Sequence, residues 1–236
     1  MSPRRGPDLP YSVVAGVTPL GQRWLVSSAK MAAATFAPED PRIFATFSDV
    51  LEERPSFAAI VVNAPIGYAA TPDEGKRTCD VEARALLGQR ALTLHDAPTR
   101  ATLQGELAWT DSHLDAVTLT LLPRYCEVAA EMSSFRQRVV YSGNPELSFY
   151  QLNNNQPLRW SKRTDEGRLE RRTVLEDKIP GITRIIDAEM AGVSRSHLFD
   201  AGALLWTARR TFGRAARRIP SEGVWDSEGL RTEFVY

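Results

Sequence analysis

The chain has 236 residues, of which 43% are apolar, enough for a hydrophobic core and too many for a disordered protein. Lysine and arginine together number 29, as do aspartate and glutamate, so the overall charge argues neither for nor against nucleic acid. The chain has two cysteines and no Cys-x-x-Cys pair, which argues against a zinc site or a disulfide framework. It has neither a start that resembles a signal peptide nor an apolar run of roughly 18 residues. We therefore predict a soluble, cytoplasmic protein with no membrane partner.

The first half of the chain begins with an arginine- and proline-containing leader at residues 1–10, which we expect to be disordered. Residues 11–236 are expected to form a single domain. Tyr11 to Val17 and Gln22 to Ala29 are predicted strands, and the short turn between them makes them antiparallel neighbours. A third strand is expected from Ala32 to Phe36, although its alanines have low strand propensity.

The next two segments predict a helix and then a buried strand. Asp40 followed by Pro41 is a typical helix start, and apolar residues at helical spacing continue until Pro55. Ala58 to Asn63 is too short for a helix, is rich in β-branched residues and has no polar alternation, which indicates a strand buried on both faces. Because chemistry in open α/β sheets gathers at the carboxyl ends of such strands, Asn63 lies where an aspartate would be a natural metal ligand.

Helices and short strands are predicted to alternate in the second half. A helix is expected from Thr78 to Leu87, and a longer one from Ser112 to Phe135 that Pro123 should kink or split. Arg138 to Ser142 is a predicted strand. The Asn144-Pro145 pair then repeats the combination of a capping residue and a proline at a helix start.

The last part of the chain predicts two further helices and a strand. Glu166 to Asp177 is expected to be a highly charged helix. A long amphipathic helix is expected to be capped by Ser194 or Ser196 and to continue to about Arg218, and Thr232 to Tyr236 forms a final strand. Strands interleaved with helices in this order predict an α/β fold with a mixed sheet and helices on its faces.

Several short motifs, taken in their order along the chain, resemble those of a known family. They are Gly16-Val17, Trp24, Pro65-Ile66-Gly67, Arg77 to Asp80, Ala83-Arg84, Leu87-Gly88, Asn144 to Phe149, Ser161 to Thr164, Gly167, Asp200-Ala201, Trp206 to Ala208 and Glu233 to Tyr236. This ordered set resembles a microbial family of predicted nucleases with a ribonuclease H-like fold, domain of unknown function 429. The resemblance covers nearly the whole chain.

What the resemblance implies is a ribonuclease H-like α/β fold, with antiparallel first strands, parallel strands after them and helices on both faces of the sheet. Such enzymes use acidic side chains to hold two divalent ions, which help to cut phosphodiester bonds. On the matching positions of this sequence, the resemblance implies catalytic roles for Glu146, Asp200 and Asp80, with Glu146 and Asp200 as metal ligands.

Several positions depart from the acidic pattern of the family. Thr18 and Asn63 stand where the family has aspartates, and Asn144 stands where it has a histidine. Arg195 to His197 lie just ahead of the last helix, where the family has a further acid. Threonine and asparagine are neutral oxygen donors, so each lost carboxylate removes attraction for a dication. The expected cofactor is therefore Mg²⁺ or Mn²⁺ if the protein is active, and otherwise none.

Each acidic candidate also has a structural interpretation. Glu146 is expected at a helix N-terminus, where a carboxylate complements the helix dipole, and Asp200 is expected in the first turn of the last helix, where the same holds. Asp80 is spaced three and four residues from Arg77 and Arg84, which is typical of a surface ion pair.

The candidate binding residues are neutral or basic: Thr18, Asn63, Arg84 and Lys162. Lys162 precedes Arg163, and these two side chains either bind phosphate or belong to a solvated loop. A basic cluster at the end of the last helix either follows a nucleic-acid backbone or is a solvated helix end that suits the helix dipole. This C-terminal arginine cluster consists of Arg209, Arg210, Arg214, Arg217 and Arg218.

Three functions remain open from the sequence. The first is a ribonuclease H-like protein with an impaired metal site that binds or regulates nucleic acid or a phosphorylated ligand. The second is an active metal-dependent nuclease or phosphodiesterase that uses Glu146 and Asp200 and has recruited replacement carboxylates. The candidates for replacement are Asp49, Asp73, Asp96 and Asp187. The third is a structural protein that binds a partner and no small ligand.

Overall fold

The fold is built on a mixed β-sheet, seen in a computed structural model that describes residues 10–33, 35–108 and 114–236. The strands are β1 (Ser12–Leu20), β2 (Arg23–Ala32), β3 (Thr35–Pro38), β4 (Arg42–Phe44), β5 (Phe57–Val62), β6 (Val140–Ser142), β7 (Arg218–Ile219) and β8 (Phe234–Val235). The helices are α1 (Phe47–Glu52), α2 (Thr78–Leu87), α3 (Arg100–Leu103), α4 (Ala116–Glu131), α5 (Pro145–Leu152), α6 (Asp165–Lys178), α7 (Thr183–Ile186) and α8 (Arg195–Phe212). The predicted leader, apart from its last residue, and the predicted helix start at Ser112 lie outside the described residues.

The strand order in the main sheet is β3-β2-β1-β5-β6, and β4 pairs with the other end of β2. The first three strands are antiparallel, whereas β5 runs parallel to β1 and β6 runs parallel to β5. Val17, Val62 and Ser142 are neighbours across these parallel pairs, so β1, β5 and β6 point toward the same edge of the sheet. The predicted α/β fold with antiparallel first strands and later parallel strands is confirmed.

Strand β5 is buried on both faces, as its continuous apolar sequence predicts. Val61 packs in one core with residues of α5, α6 and α8, and Ile60 and Val62 pack in a second core with residues of α1 and α4. Successive side chains of a strand point to opposite faces, so the alternation places one core on each side of the sheet. Helices therefore cover both faces.

Helix α8 lies directly against β1, and Gly16 makes this approach possible. A Cβ at Gly16 would overlap the backbone nitrogen of Leu205 and the carbonyl oxygen of Ala201. The absence of a side chain lets the helix backbone contact the strand backbone. Gly16 thereby sets the distance between β1 and the helix that carries Asp200.

The helix predicted from Asp40-Pro41 is wrong at its start. Arg42–Phe44 instead forms β4, which pairs with Trp24 to Val26 of β2, and α1 begins only at Phe47. Thr46 caps α1, with reciprocal hydrogen bonds to Asp49 that form a capping box. The edge pairing of β2 outweighs the local helix-start signal, which is a weak preference compared with tertiary context.

Two other helix predictions are corrected in their extent. Pro123 does not split α4, which continues through it to Glu131. Helix α8 starts after its cap Ser194, as predicted, but ends at Phe212 rather than near Arg218. Arg218 instead begins β7, which pairs antiparallel with the terminal strand β8.

No helix in the described parts of the chain combines the length and the apolar composition needed to cross a membrane.

Candidate functional site

A cleft of about 390 Å³ opens at the carboxyl ends of β5 and β6. Asn63 follows β5 directly, Asn144 and Glu146 start α5, Lys162 comes from the loop before α6, and Asp200 comes from α8. Four separate parts of the chain therefore meet where the sheet topology places chemistry in α/β folds. Of the seven predicted site residues, Asn63, Glu146, Lys162 and Asp200 line this cleft.

Thr18 and Asn63 contact each other beside the cleft. The Asn63 side-chain amide donates a hydrogen bond of 3.3 Å to the Thr18 hydroxyl, and Thr18 is buried. The ends of β1 and β5 thus bring together the two positions at which the resemblance leads one to expect aspartates. A neutral hydrogen-bonded pair stands where two carboxylates would present negative charge.

Glu146 is a buried carboxylate held by arginines. Asn144 caps α5 through the Glu146 backbone amide, and Pro145 occupies the first helical position, as the sequence predicts. The Glu146 carboxylate accepts hydrogen bonds from the fully buried Arg171 and, at 3.4 Å, from Arg90. The charge of Glu146 is therefore compensated from within the protein.

Arg171 is itself fixed by backbone groups. Its guanidinium donates at 3.1 Å to the carbonyl oxygens of Trp160 and Gly167, and it lies over the ring of Phe149. A Cβ at Gly167 would overlap the carbonyl oxygen of Ser161, so the start of α6 is pressed against the loop that carries Lys162. These contacts join the loop, α6 and the Glu146 carboxylate into one packed unit.

Asp200 is paired with Lys162. The Lys162 ammonium lies 2.6 Å from Asp200 Oδ2, with the carboxylate buried and the lysine side chain 41% exposed. Asp200 is the sixth residue of α8, which puts it in the second turn rather than the predicted first turn, beyond the main reach of the helix dipole. The second oxygen, Oδ1, is buried and has no hydrogen-bond partner among the described residues.

One imidazole stands near this ion pair. His197 completes the cap of α8 with Ser194, and burial lowers its pKa below the ordinary value. Asp200 acts in the opposite direction on this pKa, and the Lys162 ammonium lowers it further. The neutral imidazole is therefore favoured in the folded protein.

The donor set does not fit the two-metal centre that the resemblance implies. Both acidic residues of the expected site already have a cationic partner, Lys162 or Arg171, and Thr18 and Asn63 are neutral. A dication would have to displace a positive side chain or be repelled by it. In the described ranges, no group of three or more histidine, cysteine, aspartate or glutamate residues is arranged to hold a metal ion.

Asp80 lies outside the described lining of the cleft, in a buried ion pair. Both of its oxygens accept hydrogen bonds from Arg77, at 2.7 and 2.9 Å, so the predicted surface pair is in fact buried. Arg77 also donates to the carbonyl oxygen of Gly67 at 2.9 Å. The pair ties α2 to the turn that follows β5, and Arg77 itself lines the cleft.

Arg84 is not part of the described cleft lining, but it holds in place the segment from Leu94 to Asp96, which is. Its guanidinium donates at 2.8 Å to the carbonyl oxygen of Leu94 and at 2.7 Å to Asp96. Asp96 is the one suggested replacement carboxylate in the described lining, and it is paired with Arg84 and Lys76. Two further suggested replacements have other partners in the structure: Asp49 in the cap of α1 and Asp187 with Arg172.

The C-terminal arginine cluster lies toward the other end of α8 from Asp200. Arg209 is nine residues after Asp200, roughly 14 Å along a helix. Arg210 packs over Trp206 and donates to the carbonyl oxygen of Ala215, and Arg218 pairs with Glu233. Part of the cluster is thus engaged within the fold.

Most residues of the cleft lining were not among the sequence candidates, and Arg90 and Leu92 are two of them. Arg163, which the sequence analysis considered together with Lys162, does line the cleft. For Arg90 and Leu92 the sequence carries no comparable signal, because they lie in a stretch after α2 that has no periodic pattern.

The fold and the cleft together define an α/β protein with a mixed sheet and a charged cleft at the carboxyl ends of its parallel strands. The chain belongs to the family described as protein of unknown function DUF429, whose model matches residues 16–223. No curated protein and no solved structure matched the chain.

Proposed function

We propose that this chain is a ribonuclease H-like protein with an impaired metal site, whose cleft binds the phosphate group of a phosphorylated ligand or of nucleic acid. The observation that carries the proposal is the charge compensation of the two expected metal ligands. Lys162 neutralises Asp200, and Arg171 with Arg90 neutralises Glu146. The order of antiparallel and then parallel strands is compatible with the ribonuclease H-like fold.

Arg163 is the charged side chain of the cleft lining without an ion-pair partner among the described residues. Arg77 pairs with Asp80, Arg90 with Glu146 and Lys162 with Asp200, whereas Asp96 pairs with Arg84 and Lys76. Arg163 is exposed, and its guanidinium makes no hydrogen bond or ion pair with any residue that the structure describes. An arginine in this state can offer paired donors to phosphate oxygens. The Asn63 amide adds a neutral donor at the same edge of the sheet.

We expect titration of the protein with Mg²⁺ or Mn²⁺ to give no binding heat at millimolar metal, because each carboxylate already has a cationic partner. Isothermal titration calorimetry on the wild type and on Asp200→Asn makes the measurement without any assumption about substrate. Binding near micromolar concentration that Asp200→Asn abolishes would overturn the impaired-site proposal.

That outcome would support the second candidate, an active metal-dependent nuclease or phosphodiesterase. One observation favours it: Glu146 and Asp200 line the same cleft, and Asp200 Oδ1 has no partner in the described structure. A metal ion at this oxygen would satisfy it, provided that Lys162 moved away.

Replacing Arg163 with glutamine is expected to weaken binding of inorganic phosphate about tenfold, the effect of losing roughly 1.4 kcal/mol of interaction. Calorimetry at low ionic strength measures it, since screening weakens exposed charge interactions. The matched control is Arg214→Gln, which removes the same charge from the C-terminal arginine cluster and should leave the affinity within twofold.

Equal losses in the two variants would show that only overall charge matters and would contradict a phosphate site in the cleft. No phosphate binding by the wild type would favour the third candidate, a structural protein that binds a partner.

A further inference from the structure

The cleft has an apolar wall as well as a charged one. Leu92 lines it with 92% of its surface exposed, and Val117 at the start of α4 lines it with 43% exposed. Leu121, one turn further along α4, continues the same wall. A single exposed leucine is ordinary on a protein surface. Here three aliphatic side chains from two segments line the cleft that also holds Lys162 and Arg163.

The segment that presents Leu92 is held by the fold. Arg84 donates to the carbonyl oxygen of Leu94 at 2.8 Å, and the Thr118 hydroxyl donates to that of Asp96 at 3.1 Å. The side chain of Leu94 is buried in a core with α2. Leu92 therefore projects from a backbone anchored to both α2 and α4, and its exposure does not come from a loose chain end.

We propose, on the basis of the anion-binding function above, that the ligand is a phosphate monoester of about mononucleotide size that carries an aromatic or apolar group. Its phosphate contacts Lys162 and Arg163, and its apolar group packs on Leu92 and Val117. The cleft volume of about 390 Å³ lies in the range of small-molecule sites. Such sites combine apolar walls with a few placed polar groups, as this one does.

The arrangement suits a small ester better than a polymer. A nucleic-acid strand needs cations repeated along its backbone and a groove that continues past one nucleotide. The cations of the described lining belong to one cleft of limited volume, and the C-terminal arginine cluster lies toward the far end of α8. A ligand with one phosphate and one apolar group would contact both the charged residues and the aliphatic residues of the cleft.

The test compares esters that share a phosphate and differ in the attached group. Calorimetry would measure phenyl phosphate against methyl phosphate, and adenosine monophosphate against ribose 5-phosphate. We expect the aromatic member of each pair to bind the wild type about tenfold more tightly, a difference of roughly 1.4 kcal/mol. Leu92→Ser is expected to reduce the preference to twofold or less.

The matched control is Leu169→Ser, which replaces another exposed leucine, on α6 and outside the described cleft lining. It should retain the tenfold preference. Because both leucines are exposed, neither substitution should unfold the protein, and thermal melting of each variant checks this.

The outcomes separate this inference from the proposed function. Equal binding of the two members of each pair would overturn the inference and leave anion binding in place. Failure of every ester and of inorganic phosphate to bind would overturn both. A single-stranded oligonucleotide that bound more than a hundredfold more tightly than adenosine monophosphate would overturn the inference in favour of a polymer.

Discussion

Replacing Arg171 with methionine is expected to lower the free energy of unfolding by about 3–5 kcal/mol, the range for removing one partner of a buried ion pair. Arg171 is fully buried, and its loss leaves the buried Glu146 carboxylate with only the longer contacts to Arg90 at 3.4 Å. The guanidinium hydrogen bonds to the backbone carbonyl oxygens of Trp160 and Gly167 are lost as well. Urea denaturation at neutral pH measures the change.

The matched control for this substitution is its neighbour. Arg172→Met removes a partly exposed arginine paired with Asp187 and Glu176 and should change the stability by less than about 1 kcal/mol. Adding Glu146→Gln to Arg171→Met removes the uncompensated charge, so the double variant should be less destabilised than the sum of the single variants. Equal effects of Arg171→Met and Arg172→Met would contradict the buried pair.

Replacing Gly16 with alanine is expected to destabilise the protein by about 3 kcal/mol or more, at the upper end of the range for overpacking a core. The added methyl group would overlap backbone atoms of α8, at Ala201 and Leu205, and a backbone cannot change rotamer to avoid it. Helix α8 must therefore move away from β1. Because α8 carries Asp200 and β1 carries Thr18, the movement should also weaken phosphate binding. Urea denaturation and calorimetry measure the two effects.

The control here is Gly213→Ala at the end of α8. Its nearest neighbour would be the carbonyl oxygen of Arg209 at 3.4 Å, an ordinary contact, and Gly213 has a negative φ that alanine also adopts. We expect a change within about 1 kcal/mol. A Gly16→Ala variant as stable as Gly213→Ala would show that the strand and the helix are not in backbone contact.

Elements with a strong local pattern were predictable from the sequence. The β-branched run before Asn63 predicted β5 and its burial on both faces, and the short turn after Val17 predicted the antiparallel pairing of β1 with β2. The Asn144-Pro145 pair predicted the start of α5. Each of these predictions depends on residues that are close in the chain, so the residues that indicate the element are the same residues that form it.

The strand β4 shows where such local reasoning fails. Asp40-Pro41 is a sound helix start, yet the following residues pair with the far end of β2. The residues around Arg42 do not indicate that the edge of β2 is available for pairing, because β2 is formed by another part of the chain.

The sequence by itself determined the family and the order of antiparallel and parallel strands, and it has the neutral residues Thr18 and Asn63 where the resemblance implies acids. Only the tertiary structure decided what the remaining acids contact. Arg171 and Arg172 are neighbours on one charged helix, yet Arg171 is buried against Glu146 and Arg172 is partly exposed and pairs with Asp187. The physical reason is that an ion pair depends on which distant segments the fold brings within about 4 Å, and residue type and spacing along the chain carry no information about that distance.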